Sequence, residues 1–165
     1  MFELKPLSRE AIPRALEKAE RYRLLNEPLE AESICRDILE VAPDHQEALV
    51  TLLLALSDQL VENANAFAEA KKLLERLREP YARSYYGGIL CERRAKAALR
   101  RGGPGSGRVA YEWLREAMAL FERAGAQRPA GDDDAILRWN TCASILMGQP
   151  GVARLHEDPF HPLLE

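Results

Sequence analysis

Residues 19–43 read AERYRLLNEPLEAESICRDILEVAP, and the fold is decided by their spacing. Ala19 is followed three residues later by Tyr22; then come Ala31, Cys35, Ile38 and Pro43. Positions three and four apart lie on one face of a helix. Ala19 and Tyr22 therefore share a face, and Ala31, Cys35 and Ile38 share a face of a second helix. Pro28 suits the first turn of that second helix, where its missing N–H is no loss. The small Ala19 and Ala31 let the two helices approach closely, Tyr22 fills the groove between them, and Cys35 plugs the gap to the next pair. Pro43 ends the second helix and turns the chain onward. The stretch predicts a helical hairpin with one side shaped for another hairpin.

The rest of the chain agrees with that reading. Its 165 residues suit one domain or a short array of repeats. There are 25 leucines and 24 alanines, but only 13 Val, Ile and Thr together. Straight-chain and alanine side chains lose little rotamer freedom in a helix, whereas β-branched ones are restricted there. The composition therefore predicts an all-α fold. Apolar residues make up 47 %, with two Trp, five Tyr and four Phe, which excludes simple disorder. The net charge of −3 lacks the basic excess of a dedicated nucleic-acid binder, so no nucleic-acid partner is expected. No unbroken apolar run is longer than that of Leu52 to Leu56, far below the ~18 residues of a membrane span, so no membrane partner is expected either. Met1 to Glu10 carries four charged residues and no apolar core, unlike a signal peptide. Cys35, Cys91 and Cys142 are widely spaced and odd in number, which reads as reduced thiols in a cytoplasmic protein.

Proline and glycine divide the chain into helical lengths. The expected helices run from about Glu10 to Asn26, Pro28 to Val41, Asp44 (as cap) to Val61, Asn63 or Asn65 to Glu79, and Pro80 to Arg101. Gly102 to Gly107 reads as a flexible linker. A sixth helix is expected over Val109 to Gln127. A seventh should run to Met147, behind the caps of Asp132-Asp133-Asp134. From Gly148 onward, Pro150, Gly151, Pro159 and Pro162 argue against regular structure.

The steps of the opening stretch recur. Gly87 is followed three residues later by Leu90, then by Ala117, Phe121, Ala124 and Pro129, with the same four, three and five residues between the last four. This pattern resembles the tetratricopeptide repeat, a 34-residue helix–turn–helix unit with an A-x3-F…P signature. The resemblance covers residues 10–147, and the whole is similar to small bacterial proteins of this repeat type. The units would be 12–45, 46–80 and 81–130, followed by a capping helix at 132–147 and a tail at 148–165. The middle unit fits less well: Pro43 to Pro80 spans 37 residues, and Ala68 is followed by Lys72 and Glu75 where plugs belong. Pro80 to Pro129 spans 49 residues, an enlarged unit. The resemblance implies an α–α superhelix of about three antiparallel helix pairs plus the cap.

Catalytic readings are weak. Gly102 to Arg108 is glycine-rich before a helix, but no strand precedes it and Arg108-Val109 stands where a phosphate loop needs Lys-Ser/Thr, so a linker is favoured. His156 and His161 are five apart across Pro159, which a helical zinc site does not allow; a polar tail is favoured and no metal is expected. Cys35 sits at a plug position, as a buried structural thiol. Cys91 lies near Tyr85 and Glu92, where a groove-facing thiol is the alternative to a packed one. The run Arg93, Arg94, Lys96, Arg100, Arg101 suits the C-terminal half of its helix, with Glu92 able to pair with Lys96; a site for acidic partners is the alternative. Leu49, Leu52, Leu53, Leu56 and Leu60 form one apolar stripe and Val50, Leu54 and Ser57 another. Such a helix is buried all round or lines an apolar groove.

What the resemblance implies for function is a concave face, formed by the first helix of each pair, that takes an extended peptide or a helix. Residue by residue this face would present Leu16, Glu20 and Arg23; then Glu47, Val50, Leu54 and Asp58; then Tyr81, Ser84, Gly88 and Glu92; and Arg138 and Asn140 from the cap. Leu16 and Glu20 stand where the carboxylate-clamp members of the family carry Lys and Asn, so a different ligand is expected. Gly88 is either room for that ligand or a second close helix contact. The expected protein is a non-catalytic adaptor for a protein or peptide, with no cofactor. The alternative is an accessory subunit of a larger complex that uses its convex face or tail. The apolar Val152, Leu155, Phe160, Leu163 and Leu164 could dock in the groove. The tail or end helix is also the place for a homodimer contact.

Overall fold

The computed structural model describes residues 1–153. His156, His161, Leu155, Phe160, Leu163 and Leu164, with the readings attached to them, lie outside the described residues.

The described residues form eight helices: α1 (Ile12–Leu24), behind a single 3-10 turn at Arg9–Ala11, α2 (Pro28–Val41), α3 (Gln46–Ser57), α4 (Asn65–Leu74), α5 (Pro80–Arg101), α6 (Ser106–Ala126), α7 (Asp134–Gly148) and α8 (Pro150–Ala153). No strand occurs among the described residues, and the protein is all-α. Pro28 and Pro80 stand at the first position of α2 and α5, and Pro13 in the first turn of α1. Among the described residues no helix is long and apolar enough to cross a membrane.

Several boundaries differ from the sequence expectation. The cap of α3 is His45, whose Nδ1 accepts from the Ala48 N–H at 3.2 Å, not Asp44. α4 stops at Leu74, five residues short of Glu79. The guanidinium of Arg83 donates to the carbonyls of Leu77 and Arg78 in the connection to α5, at 2.7 and 3.0 Å. The glycine linker is shorter than expected, because Ser106 and Gly107 already belong to α6. Gly102, Gly103 and Gly105 all take positive φ, which lets the chain reverse in four residues. The segment after Gly148 is not wholly irregular: α8 buries Val152 against the α5–α6–α7 cluster.

Each helix packs against its neighbours in the chain, and α1 also meets α3, α3 meets α5, and α5 meets α7. The small residues sit where the pattern places them. Ala19, Ala31, Ala117 and Ala124 are fully buried, and Gly87 approaches Leu120 and Leu74. The middle unit carries the same steps two residues earlier than Ala68. Ala66, Ala70 and Leu73 are buried at spacings of four and three, while Ala68, Lys72 and Glu75 are exposed. The plug there is only an alanine, and Phe67 beside it supplies the missing volume by packing edge-on to Trp113 at 5.0 Å. α3 is the most buried helix, with Leu49, Leu52, Leu53 and Leu56 inside. Its half-buried Leu54 touches both larger apolar clusters and joins them into one core.

Candidate functional site

The odd-numbered helices share one face, and side chains from all four meet on it. Arg23 of α1 donates from Nε to Asp58 at 2.9 Å, just past the end of α3. Arg93 of α5 donates to the other Asp58 oxygen, to Ser57 Oγ at 2.6 Å and to the Leu54 carbonyl. Burial pulls the Arg93 guanidinium down and the Asp58 carboxylate opposes that. One carboxylate thus ties three helices together. Farther along, Glu92 is fully buried. Its Oε1 accepts from Lys96 at 2.5 Å and from Arg138 of α7 at 3.4 Å, while its Oε2 has no partner among the described residues. Burial works against the charge of Arg138, and Glu92 and Tyr85 together outweigh it. Four cations on this face are therefore committed to two carboxylates.

Toward the other end of the same face the charges are not committed. α1, α3 and the start of α5 enclose an open cleft of about 470 Å³. Val50 and Ala82 line it with the half-buried Tyr86, and Glu20, Glu47 and Glu79 rim it beside Arg78. None of these three carboxylates makes an ion pair among the described residues. Tyr81 does not line the cleft: its hydroxyl donates to Asp132 at 3.2 Å and its ring stacks on Tyr85 at 5.6 Å. Burial, then the Asp132 carboxylate, pushes the Tyr81 phenol up.

The sequence-derived groove residues divide accordingly. Glu20, Glu47 and Val50 meet at the cleft, and Arg23, Leu54 and Asp58 are joined on the same face, whereas Tyr81 turns to Asp132 between α6 and α7. Leu16 does not present itself: it is buried against Ile12, Ile38 and Ala48. Ser84, Gly88 and Glu92 are also inside. They mark the α5 stripe turned inward, and Ala82, Tyr86 and Arg93 are the stripe on the open face. Gly88 is a close helix contact, because a Cβ there would stand 2.5 Å from the Phe121 ring. Arg138 reaches the face through Glu92, whereas Asn140 lines a separate depression on α7 with Leu137, Thr141 and Ser144. Tyr86, Ala82 and Thr51 escaped the sequence reading; the adjacent Tyr85-Tyr86 aromatics were the available signal.

The chemically suggestive groups are absorbed by packing. Burial pushes the thiols of Cys35, Cys91 and Cys142 each up to about 12, so the thiolate a nucleophile needs is scarce. Cys91 lies in the α5–α6 cluster rather than in the cleft. Of the basic run, Arg94 lies over Phe67 at 3.9 Å and Trp113 at 4.8 Å, and Arg101 donates to the Leu60 and Val61 carbonyls. Arg93, Arg94 and Arg101 of the run thus reach other helices, Lys96 pairs within α5, and Arg100 is exposed. Among the described residues no three His, Cys, Asp or Glu side chains stand together in a way that could hold a metal ion.

Compared with family models, curated proteins and solved structures, the chain matches none.

Proposed function

We propose that the protein is a non-catalytic interaction module that takes a protein or peptide segment along the face of α1, α3, α5 and α7. The observation that carries this reading is the open cleft between α1, α3 and α5, where the half-buried Val50 and Tyr86 are lined up beside Glu20 and Glu47, neither of which makes an ion pair among the described residues. Stacked helix pairs of tetratricopeptide type expose their first helices in this way, and the recurring steps of Ala31, Cys35, Ile38 and of Ala117, Phe121, Ala124 support that kinship. A cleft of this size lies within the range of ligand sites, roughly 300–1,000 Å³. The high thiol values and the internal contacts of Arg93, Arg94, Lys96 and Arg101 favour binding over catalysis.

The test is an obstruction. Ala82→Arg places a long side chain in the cleft from a half-buried position whose Cβ already points there. Affinity purification from the native host, followed by mass spectrometry, should recover a protein partner with the wild-type chain and lose it with A82R at unchanged melting temperature. A partner that A82R retains moves the interface to the even-helix side. There a second depression of about 760 Å³ lies between residues 4–7, α2 and α4.

A further inference from the structure

The uncommitted charges of the cleft are predominantly negative. Four cations of the odd-numbered helices are already neutralised: Arg23 and Arg93 by Asp58, Lys96 and Arg138 by Glu92. At the cleft, Glu20, Glu47 and Glu79 stand against the single guanidinium of Arg78. The carboxylates come from α1, α3 and the residue that precedes α5, so three separate elements aim negative charge at one opening. The floor between them is apolar and aromatic, built from Val50, Ala82 and Tyr86.

A second observation points to a ligand. Thr51 lines the same cleft and is 4 % exposed, yet its hydroxyl has no hydrogen-bond partner among the described residues. In α7, by contrast, the Thr141 hydroxyl donates back to the Leu137 carbonyl of its own helix at 3.0 Å. The Thr51 oxygen is not sealed off from solvent, so it is free to meet a polar group of a ligand that enters the cleft.

We infer that the cleft takes a peptide segment in which a lysine or arginine flanks an apolar side chain; this rests on the interaction-module reading above. The apolar side chain lies against Val50, Ala82 and Tyr86. The cation sits between the carboxylates of Glu20, Glu47 and Glu79, where complementary charge fixes orientation and partner choice. Tyr86 offers its ring face to the same cation. A backbone or side-chain polar group of the peptide meets the Thr51 hydroxyl. Acidic segments are rejected, because like charges would be brought together at the rim.

The experiment is selection from a phage-displayed library of random dodecapeptides against the full-length chain. Enriched sequences should carry net positive charge beside an apolar residue. A synthetic, fluorescein-labelled enriched peptide should bind at least ~10-fold more weakly to the E20K/E47K/E79K triple variant, and weaken with salt. All three side chains are exposed, so the variant retains its fold, checked by circular dichroism. If the enriched peptides are acidic or uncharged and still compete with A82R for the cleft, in the sense that A82R abolishes their binding, the charge inference is overturned and the interaction-module reading stands. If cationic peptides are enriched but the triple variant binds them equally well, the carboxylates are not their site and the inference is overturned. If no peptide is enriched, both readings fall.

Discussion

The ring of Phe121 occupies the place where a side chain at Gly88 would begin: a Cβ built on Gly88 lies 2.5, 2.7 and 2.9 Å from three ring atoms. Phe121 is 1 % exposed and its ring also leans on Tyr85 at 6.0 Å, so it has little freedom to retreat. A mid-helix glycine, unfavourable by roughly 1 kcal/mol relative to alanine on propensity alone, is thereby explained as an approach of α5 to α6. Gly88→Ala should destabilise the fold by about 1–3 kcal/mol through overpacking. Pairing it with Phe121→Leu should cost less than the two single changes added together. Urea unfolding of the four-member cycle measures this; strict additivity would separate the two residues.

The Glu92 carboxylate links two helices through Arg138 and only one through Lys96. Arg138→Ala should cost about 1–3 kcal/mol, the range for leaving a buried polar group short of a partner. It should also raise amide exchange along α7. Lys96→Ala removes a pair within α5, its lysine 44 % exposed, and should cost under about 1 kcal/mol and leave α7 protected. Hydrogen-exchange mass spectrometry distinguishes the two. Equal effects on α7 would remove Arg138 as the tie.

The three thiols predict both a reactivity and a pH dependence. Raised from 9.0 to about 12 by burial, they should not react with an aromatic disulfide reagent at pH 8 in the native protein, and all three should react after unfolding. The folded values lie above the unfolded one. The thiols' contribution to stability is therefore fully present below pH 9 and is lost as pH rises toward 12. Chemical denaturation at pH 8, 9 and 10 should show a monotonic loss, removed in a triple Cys→Ala background after correction for its lower starting stability.

Asn26 holds φ at +60° in the turn between α1 and α2. Left-handed backbone costs a β-branched residue about 1–2 kcal/mol, whereas glycine adopts it freely. Asn26→Val should lower stability by about that amount, and Asn26→Gly should stay within about 0.5 kcal/mol of wild type. Thermal unfolding monitored by circular dichroism at the helix band checks the order.

Helix content and most helix starts were legible because local chemistry sets them. Pro28 and Pro80 open helices wherever the chain goes next, and Ala31-x3-Cys35-x2-Ile38 faces one way in any packing. The middle unit was misjudged by two residues because Ala66 and Ala68 are equally small. Only the depth of Phe67, Ala70 and Leu73 tells which alanine meets α3. His45 displaced Asp44 as a cap for a similar reason: both suit the position, and the turn after Pro43 selected one.

The face was less legible than the fold. Which of the two adjacent α5 stripes turns outward depends on the rotation of the helix about its axis. That rotation is set by Gly88 against Phe121 and by Glu92 against Arg138, contacts between residues far apart in the chain. By itself the sequence determined the helices, their turns and the small residues that let them pair, since each follows from the backbone preferences of neighbouring residues. The tertiary structure alone decided that four cations are neutralised, that Ser84, Gly88 and Glu92 are inside, and that Glu20, Glu47 and Glu79 remain uncompensated around an apolar cleft. Charge compensation and burial are sums over neighbours that only the packed chain supplies.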